Sequence, residues 1–139
     1  MLNWKAVAAG AVVNFAGTYL SFFVLVLLWM AATDSGALSD EAVQAAASHS
    51  SLLLAVSALA GWYFDFLGGK VAALLARRQA VLHGLVSSLP GIVLAMVDAF
   101  RSDDLRFPIW VMAVFCVVSL VCACFGGASA LKHKETKAG

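Results

Sequence analysis

The sequence predicts an all-α protein: a polytopic membrane four-helix bundle with both termini cytoplasmic and neighbouring helices antiparallel. Three observations predict it. Apolar residues make up 63% of the 139 and charged residues 12%, with a mean hydropathy of +0.93. That is roughly half the charged share of an ordinary soluble domain, which excludes a disordered chain and a water-soluble globule. The apolar residues gather in four runs, each near the roughly 20 residues needed to cross about 30 Å of hydrocarbon. Seven of the nine Lys and Arg residues fall on one side of those runs, and positively charged short loops stay in the cytoplasm. Lipid offers the backbone no hydrogen-bond partner, so spans of this length and polarity are helices.

The first span covers residues 6–32, 27 residues whose only polar members are Asn14, Thr18, Tyr19 and Ser21. At helical rise it is about 40 Å long, so it must tilt or protrude. It is far longer than the apolar region of a secretory signal, about 7–15 residues, and is expected to remain as a helix. An acidic, alanine-rich outer loop follows over residues 33–50. Within it, Ser39 as a cap before Asp40 and Glu41 predicts a short surface helix from Ser39 to about Ala47. The second span covers 51–76, interrupted by Asp65 and Lys70; the third covers 81–100, where Pro90 is expected to bend the helix and free the Val86 carbonyl for a neighbouring serine or water. The fourth covers 108–131, and residues 132–139 form a solvated basic tail. Of the aromatic rings, Trp4, Trp29 and Trp110 sit near span ends, where amphipathic rings favour the interface. Trp62 and Tyr63 do not.

Lys5, Lys70, Arg77, Arg78, Lys132, Lys134 and Lys137 share the inner side. Arg101 and Arg106 lie outside with Asp34, Asp40, Glu41, Asp103 and Asp104. Both termini are therefore expected inside.

Helices in lipid associate through small residues that let backbones approach, helped by occasional polar contacts. Residues three and four apart share a helix face, and each span carries such a stripe. The first has Ala6, Gly10, Asn14, Gly17 and Ser21; the second has Ser57, Gly61, Asp65, Gly68 and Ala72, with Gly69 adjacent. The third has Gly84, Ser88, Gly91 and Ala95, and the fourth Ser119, Ala123, Gly126 and Ala130, with Gly127 adjacent. The Gly68-Gly69 and Gly126-Gly127 pairs at the inner ends of spans two and four are a faint internal echo, which a duplicated two-helix unit or a shared need for close packing would produce.

An ionisable residue inside a span costs at least about 2.5–3.5 kcal/mol on insertion scales, so it needs a reason. Asp65 is the strongest case. Counted from the inner span boundaries at helical rise, Asp65 lies about 13 Å in, Asn14 about 12 Å and Ser88 about 10 Å. The three are expected to form one polar cluster. It would serve either as an interhelical hydrogen bond that fixes register or as a proton or ion site; a third arrangement pairs Asp65 with Lys70 or Lys132. His83, beside Arg77 and Arg78, is read as an interface residue with no metal spacing around it. Asp98 and Arg101 make a plausible outer ion pair. Cys116, Cys122 and Cys124 all lie within span four and are read as small apolar residues rather than a disulfide framework. No nucleotide loop, hydrolase elbow, zinc-protease pair or haem-binding histidine pair occurs. No enzyme, cofactor, metal site or nucleic-acid partner is expected.

Trp4-Lys5, Gly10, Gly17, Gly68-Gly69, Ala72-Ala73, Ala76-Arg77-Arg78 and His83-Gly84 together resemble small bacterial four-helix membrane proteins of uncharacterised function that carry a GGxxAAxxARRxxxxHG hairpin. The resemblance spans most of the chain and implies a bacterial inner-membrane location, but no activity. The sequence thus points to a non-enzymatic structural or interaction component of the bilayer, packing through its glycine faces into a homo-oligomer or against another membrane protein. The alternative is a small ion, proton or solute transporter using Asp65.

Overall fold

The computed structural model of the chain describes residues 2–33, 51–76, 79–101 and 108–136. The expected helix from Ser39 to Ala47 and the Arg77-Arg78 pair lie outside the described residues, as do the side chains of Asp98, Arg101, Lys132 and Lys134. The described residues form four helices and no strands: α1 (Trp4–Thr33), α2 (Ser51–Leu75), α3 (Ala80–Arg101) and α4 (Ile109–Thr136). Each contains a stretch long and apolar enough to cross a membrane. The last helix runs past the expected boundary at Leu131 into what the sequence assigned to a solvated tail. Its final residues, Lys132 to Thr136, include Lys and Glu, which are good helix formers and extend a helix already nucleated.

Helix starts follow ordinary capping chemistry. The Asn3 side chain accepts from the Ala6 N–H at 3.4 Å and its carbonyl accepts from the Val7 N–H at 3.1 Å, which makes Asn3 the cap of α1. Pro108 stands just before α4, its carbonyl accepting from the Val111 N–H at 2.9 Å. Gln79, entering α3, has a φ of 55°, a left-handed conformation that costs a residue with a Cβ roughly 1–2 kcal/mol. Gln79→Gly should therefore stabilise the fold by about 1 kcal/mol, seen as a higher thermal midpoint in lipid nanodiscs. A lower midpoint would show that the side chain contributes more than the strain costs.

The helices meet as α1–α2, α2–α4, α4–α3 and α3–α1, with a further contact across the diagonal between α2 and α3. Along α1 and α2, residue numbers rise on one helix as they fall on the other: Gly10 faces Ala72, Asn14 faces Asp65, and Thr18 faces Gly61. Along α2 and α4 they rise together, with Trp62 beside Phe115, Asp65 beside Ser119 and Gly69 beside Ala123. Chain-neighbouring spans are therefore not the whole of the packing. The broad α2–α4 interface joins helices that are not consecutive.

The bundle is tight at one end. Its buried apolar residues there are almost all alanine, namely Ala6, Ala72, Ala73, Ala76, Ala80, Ala123 and Ala130. A methyl added at Gly10 would stand 2.7 Å from the Ala72 Cβ, and one at Gly84 would stand 2.7 Å from the Ala123 carbonyl oxygen. At Gly69 it would collide with the Ala123 carbonyl, and at Gly126 with the Phe66 carbonyl. These glycines let backbone lie on backbone, the arrangement dispersion favours where lipid supplies no hydrophobic drive. Among the described residues, Leu, Val, Phe and Trp side chains such as Leu20, Phe23, Leu28, Leu59, Trp110 and Phe125 cover the outside.

His83 lies in this tight end and is 1% exposed, which corrects its reading as an interface residue. Its Nε2 accepts the backbone N–H of Asn3 at 2.8 Å, so the ring proton is on Nδ1, which faces the Gln79 carbonyl at 2.9 Å. A neutral imidazole thus ties the start of α1 to the first turn of α3.

Candidate functional site between the helices

Away from the tight end the helices part around an open cavity of about 570 Å³, on whose rim Tyr19, Leu94, Val97 and Phe115 are themselves exposed. Pro90 lies within α3, and its ring removes one rung of the helical ladder. Beside it, Gly91 lines the cavity and has nothing within 4 Å of the position a Cβ would take. The serines before Pro90 do not serve the Val86 carbonyl as expected. Ser87 donates to the Gly84 carbonyl at 2.7 Å and Ser88 to the Leu85 carbonyl at 2.9 Å.

The floor of the cavity is polar. Asp65, 8% exposed, accepts the Asn14 side-chain amide on Oδ1 and the Ser119 hydroxyl on Oδ2, the latter at 2.5 Å. Three helices are joined at one carboxyl group. Asn14 in turn accepts on Oδ1 from the Thr18 hydroxyl, a long contact of 3.4 Å. The walls are aromatic. Phe15 and Tyr19 of α1 stack with centroids 4.8 Å apart, and Trp62 of α2 lies 5.4 Å from Phe115 of α4. All four rings line the cavity, as does the Cys116 thiol.

Of the three residues expected to cluster, the structure brings together Asn14 and Asp65 and leaves out Ser88. The missed member is Ser119. Gly127 abuts Ala80 at the start of α3, so the level of the tight end on α4 is Gly127, not Leu131. Measured from there, Ser119 is eight residues or about 12 Å in, the same depth as Asn14. Ser88 has that depth too, but its hydroxyl is spent on its own helix. Ser119 was legible only as part of the small-residue stripe. Lys70 does not make the alternative pairing, and the Lys132 side chain lies outside the described residues.

The nine glycines expected at packing faces divide in two. Gly10, Gly17, Gly68, Gly69, Gly84, Gly126 and Gly127 are each pressed against another helix of the same chain. Gly61 is in ordinary contact with Thr18 at 3.9 Å, and Gly91 faces open space. Among the described residues no three His, Cys, Asp or Glu side chains gather as a metal site, and the three cysteines are free.

Fold and site together define a small α-helical protein whose four helices are all able to cross a membrane, with one buried carboxyl group at the floor of an aromatic cavity between them. No protein-family model, curated protein or solved structure matches the chain.

Proposed function

We propose that the chain is a small, non-enzymatic, multi-pass protein of the bacterial inner membrane that binds a solute in this cavity and moves it, using Asp65. Both termini are cytoplasmic, consecutive helices run antiparallel, and the tight end faces the cytoplasm. The contact order along α1 and α2 and the distribution of basic residues support that orientation. One observation carries the functional reading: a cavity of about 570 Å³ ends on a buried carboxyl group. That volume falls inside the roughly 300–1,000 Å³ of small-molecule sites, which are mostly apolar walls with a few convergent polar groups.

The packing-component reading keeps one observation of its own. Both Asp65 oxygens are engaged, as a static clamp requires. The glycine faces that suggested an oligomer or another membrane protein as partner are largely consumed within the chain, so an oligomer would have to assemble through its exposed Leu, Val and Phe surface. Gly91→Phe separates the readings, because its ring should enter open space and fill the cavity without disturbing a helix contact. Native mass spectrometry of protein released from mild detergent should show a bound small molecule on the parent chain and none on Gly91→Phe. Identical spectra, carrying only lipid and detergent, would remove the solute-binding reading.

A further inference from the structure

We infer that the occupant of this cavity is a lipophilic organic monocation, an ammonium with an aromatic or alkyl body, which competes with a proton for Asp65. The inference rests on the solute-binding reading above and adds the chemical class. The first support is charge. Among the described residues, Asp65 is the only acidic one lining the cavity, and no Lys, Arg or His lines it. An ionised carboxylate has about four lone-pair sites, and here only two are taken, by Asn14 and Ser119. The ionised form has no cationic partner among the described residues, and an anionic ligand would not supply one.

The second support is the wall. Phe15, Tyr19, Trp62 and Phe115 come from three helices and line the same space. Aromatic faces attract a cation by roughly 0.5–2 kcal/mol each, more where water is excluded, whereas they give an anion nothing. Ile92, Leu94, Ala95 and Val97 of α3 supply an apolar side for the rest of the ligand. The two features together select a single positive charge on an apolar body.

The third support is the hydrogen-bond polarity at the floor. Oδ1 accepts from the N–H of the Asn14 amide, whose own oxygen accepts from the Thr18 hydroxyl, so in this arrangement Oδ1 is an acceptor. Oδ2 faces a hydroxyl, which can donate or accept. A proton on Oδ2 reverses that bond, with Asp65 donating to the Ser119 Oγ, while the serine turns its own proton to a carbonyl of its preceding turn. Asp65 therefore keeps both helix contacts whether charged or neutral. When a cation arrives, the proton leaves Oδ2 for water, one positive charge replacing another. The other titratable groups facing the carboxyl group are the Cys122 and Cys116 thiols of α4 and the Tyr19 phenol of α1. Among the described residues α3 contributes none to the cavity wall, and Lys70 lies farther along α2 itself. Asp65 is the only carboxyl group among the described lining residues, and the pH dependence is read against its substitution.

The test uses the full chain in lipid nanodiscs, with benzyltrimethylammonium as cation and neopentylbenzene as its uncharged isostere, binding being read from Trp62 fluorescence with the other tryptophans replaced. The cation should bind, lose affinity by up to about tenfold per pH unit on the acid side, and weaken at least tenfold in Asp65→Asn. The neutral compound should show no pH dependence and no response to that substitution. Equal binding of the two compounds, indifferent to pH and to Asp65→Asn, would overturn the cation inference and leave the solute cavity standing. Binding of neither, with Gly91→Phe unchanged from the parent, would overturn both. Should Asp65→Asn fail to fold, the pH dependence and the matched pair on the parent chain still decide.

Discussion

Gly126→Ala is expected to destabilise the bundle by about 3 kcal/mol, the upper end of what overpacking costs. The added methyl would collide with the Phe66 carbonyl and stand 2.9 Å from the Lys70 backbone nitrogen. Neither obstacle is a side chain that can swing away. Relief requires α2 and α4 to separate, which loosens the contacts around Gly69 and Ala123 and moves Ser119 off Asp65. Gly91→Ala is the matched control. It has open space around the new methyl and should gain about 1 kcal/mol from helix propensity. Gly61→Ala, with its nearest neighbour at 3.9 Å, should fall between them. Reversible unfolding in mixed micelles gives the order directly, and a flat response across the three positions would show that backbone contact does not hold this interface.

The four helices were legible because their cause is local: a run of apolar residues long enough for lipid leaves the backbone one solution. The small-residue faces were legible for the same reason, since spacing alone puts Gly10 over Asn14 and Gly126 over Ala130. What those faces meet is not local. Gly126 against Phe66 joins segments 60 residues apart, and the sequence offered no rule by which α2 should pack so broadly on α4 rather than only on its chain neighbours. Counting along each helix puts Asn14 and Asp65 at one level, and the two side chains are hydrogen-bonded. Azimuth was not readable in this way. Ser88 sits at the level of Asn14 but turns its hydroxyl to its own helix, and Ser119 entered only as a member of the α4 small-residue stripe, with no depth assigned to it. The cavity was illegible altogether, because it arises where Gly91 faces nothing, and a sequence does not record empty space. Trp62 and Tyr63 were its only trace, as aromatic residues away from the interface. Trp62 proved to line the cavity, while Tyr63 is exposed.

Asp65→Ala should cost about 2–3 kcal/mol, whereas Asp65→Asn should cost no more than about 1 kcal/mol. Hydrogen bonds between membrane helices average about 0.6 kcal/mol and reach about 1.7, and those to a charged acceptor stand at the strong end. Alanine removes two of them and strands the Asn14 amide and the Ser119 hydroxyl in a low-dielectric interior, where an unmet donor is expensive. The insertion cost of the aspartate does not offset this loss. On the membrane reading it is paid in the unfolded chain as well, where α2 would remain in the bilayer. Asparagine keeps the geometry: its oxygen accepts from the Asn14 amide and its own amide donates to the Ser119 Oγ. The two substitutions therefore remove the same charge but only one removes the clamp. In a cycle with Asn14→Ala, the loss in Asn14→Ala/Asp65→Ala should fall short of the sum of the single losses, because the same bond is counted in both. Equal stability of Asp65→Ala and Asp65→Asn would mean that the carboxyl group holds no helix in place. The expected gap between them is what allows Asp65→Asn to report on the site alone, since a chain that keeps its fold and loses its cation has lost a ligand contact and nothing else.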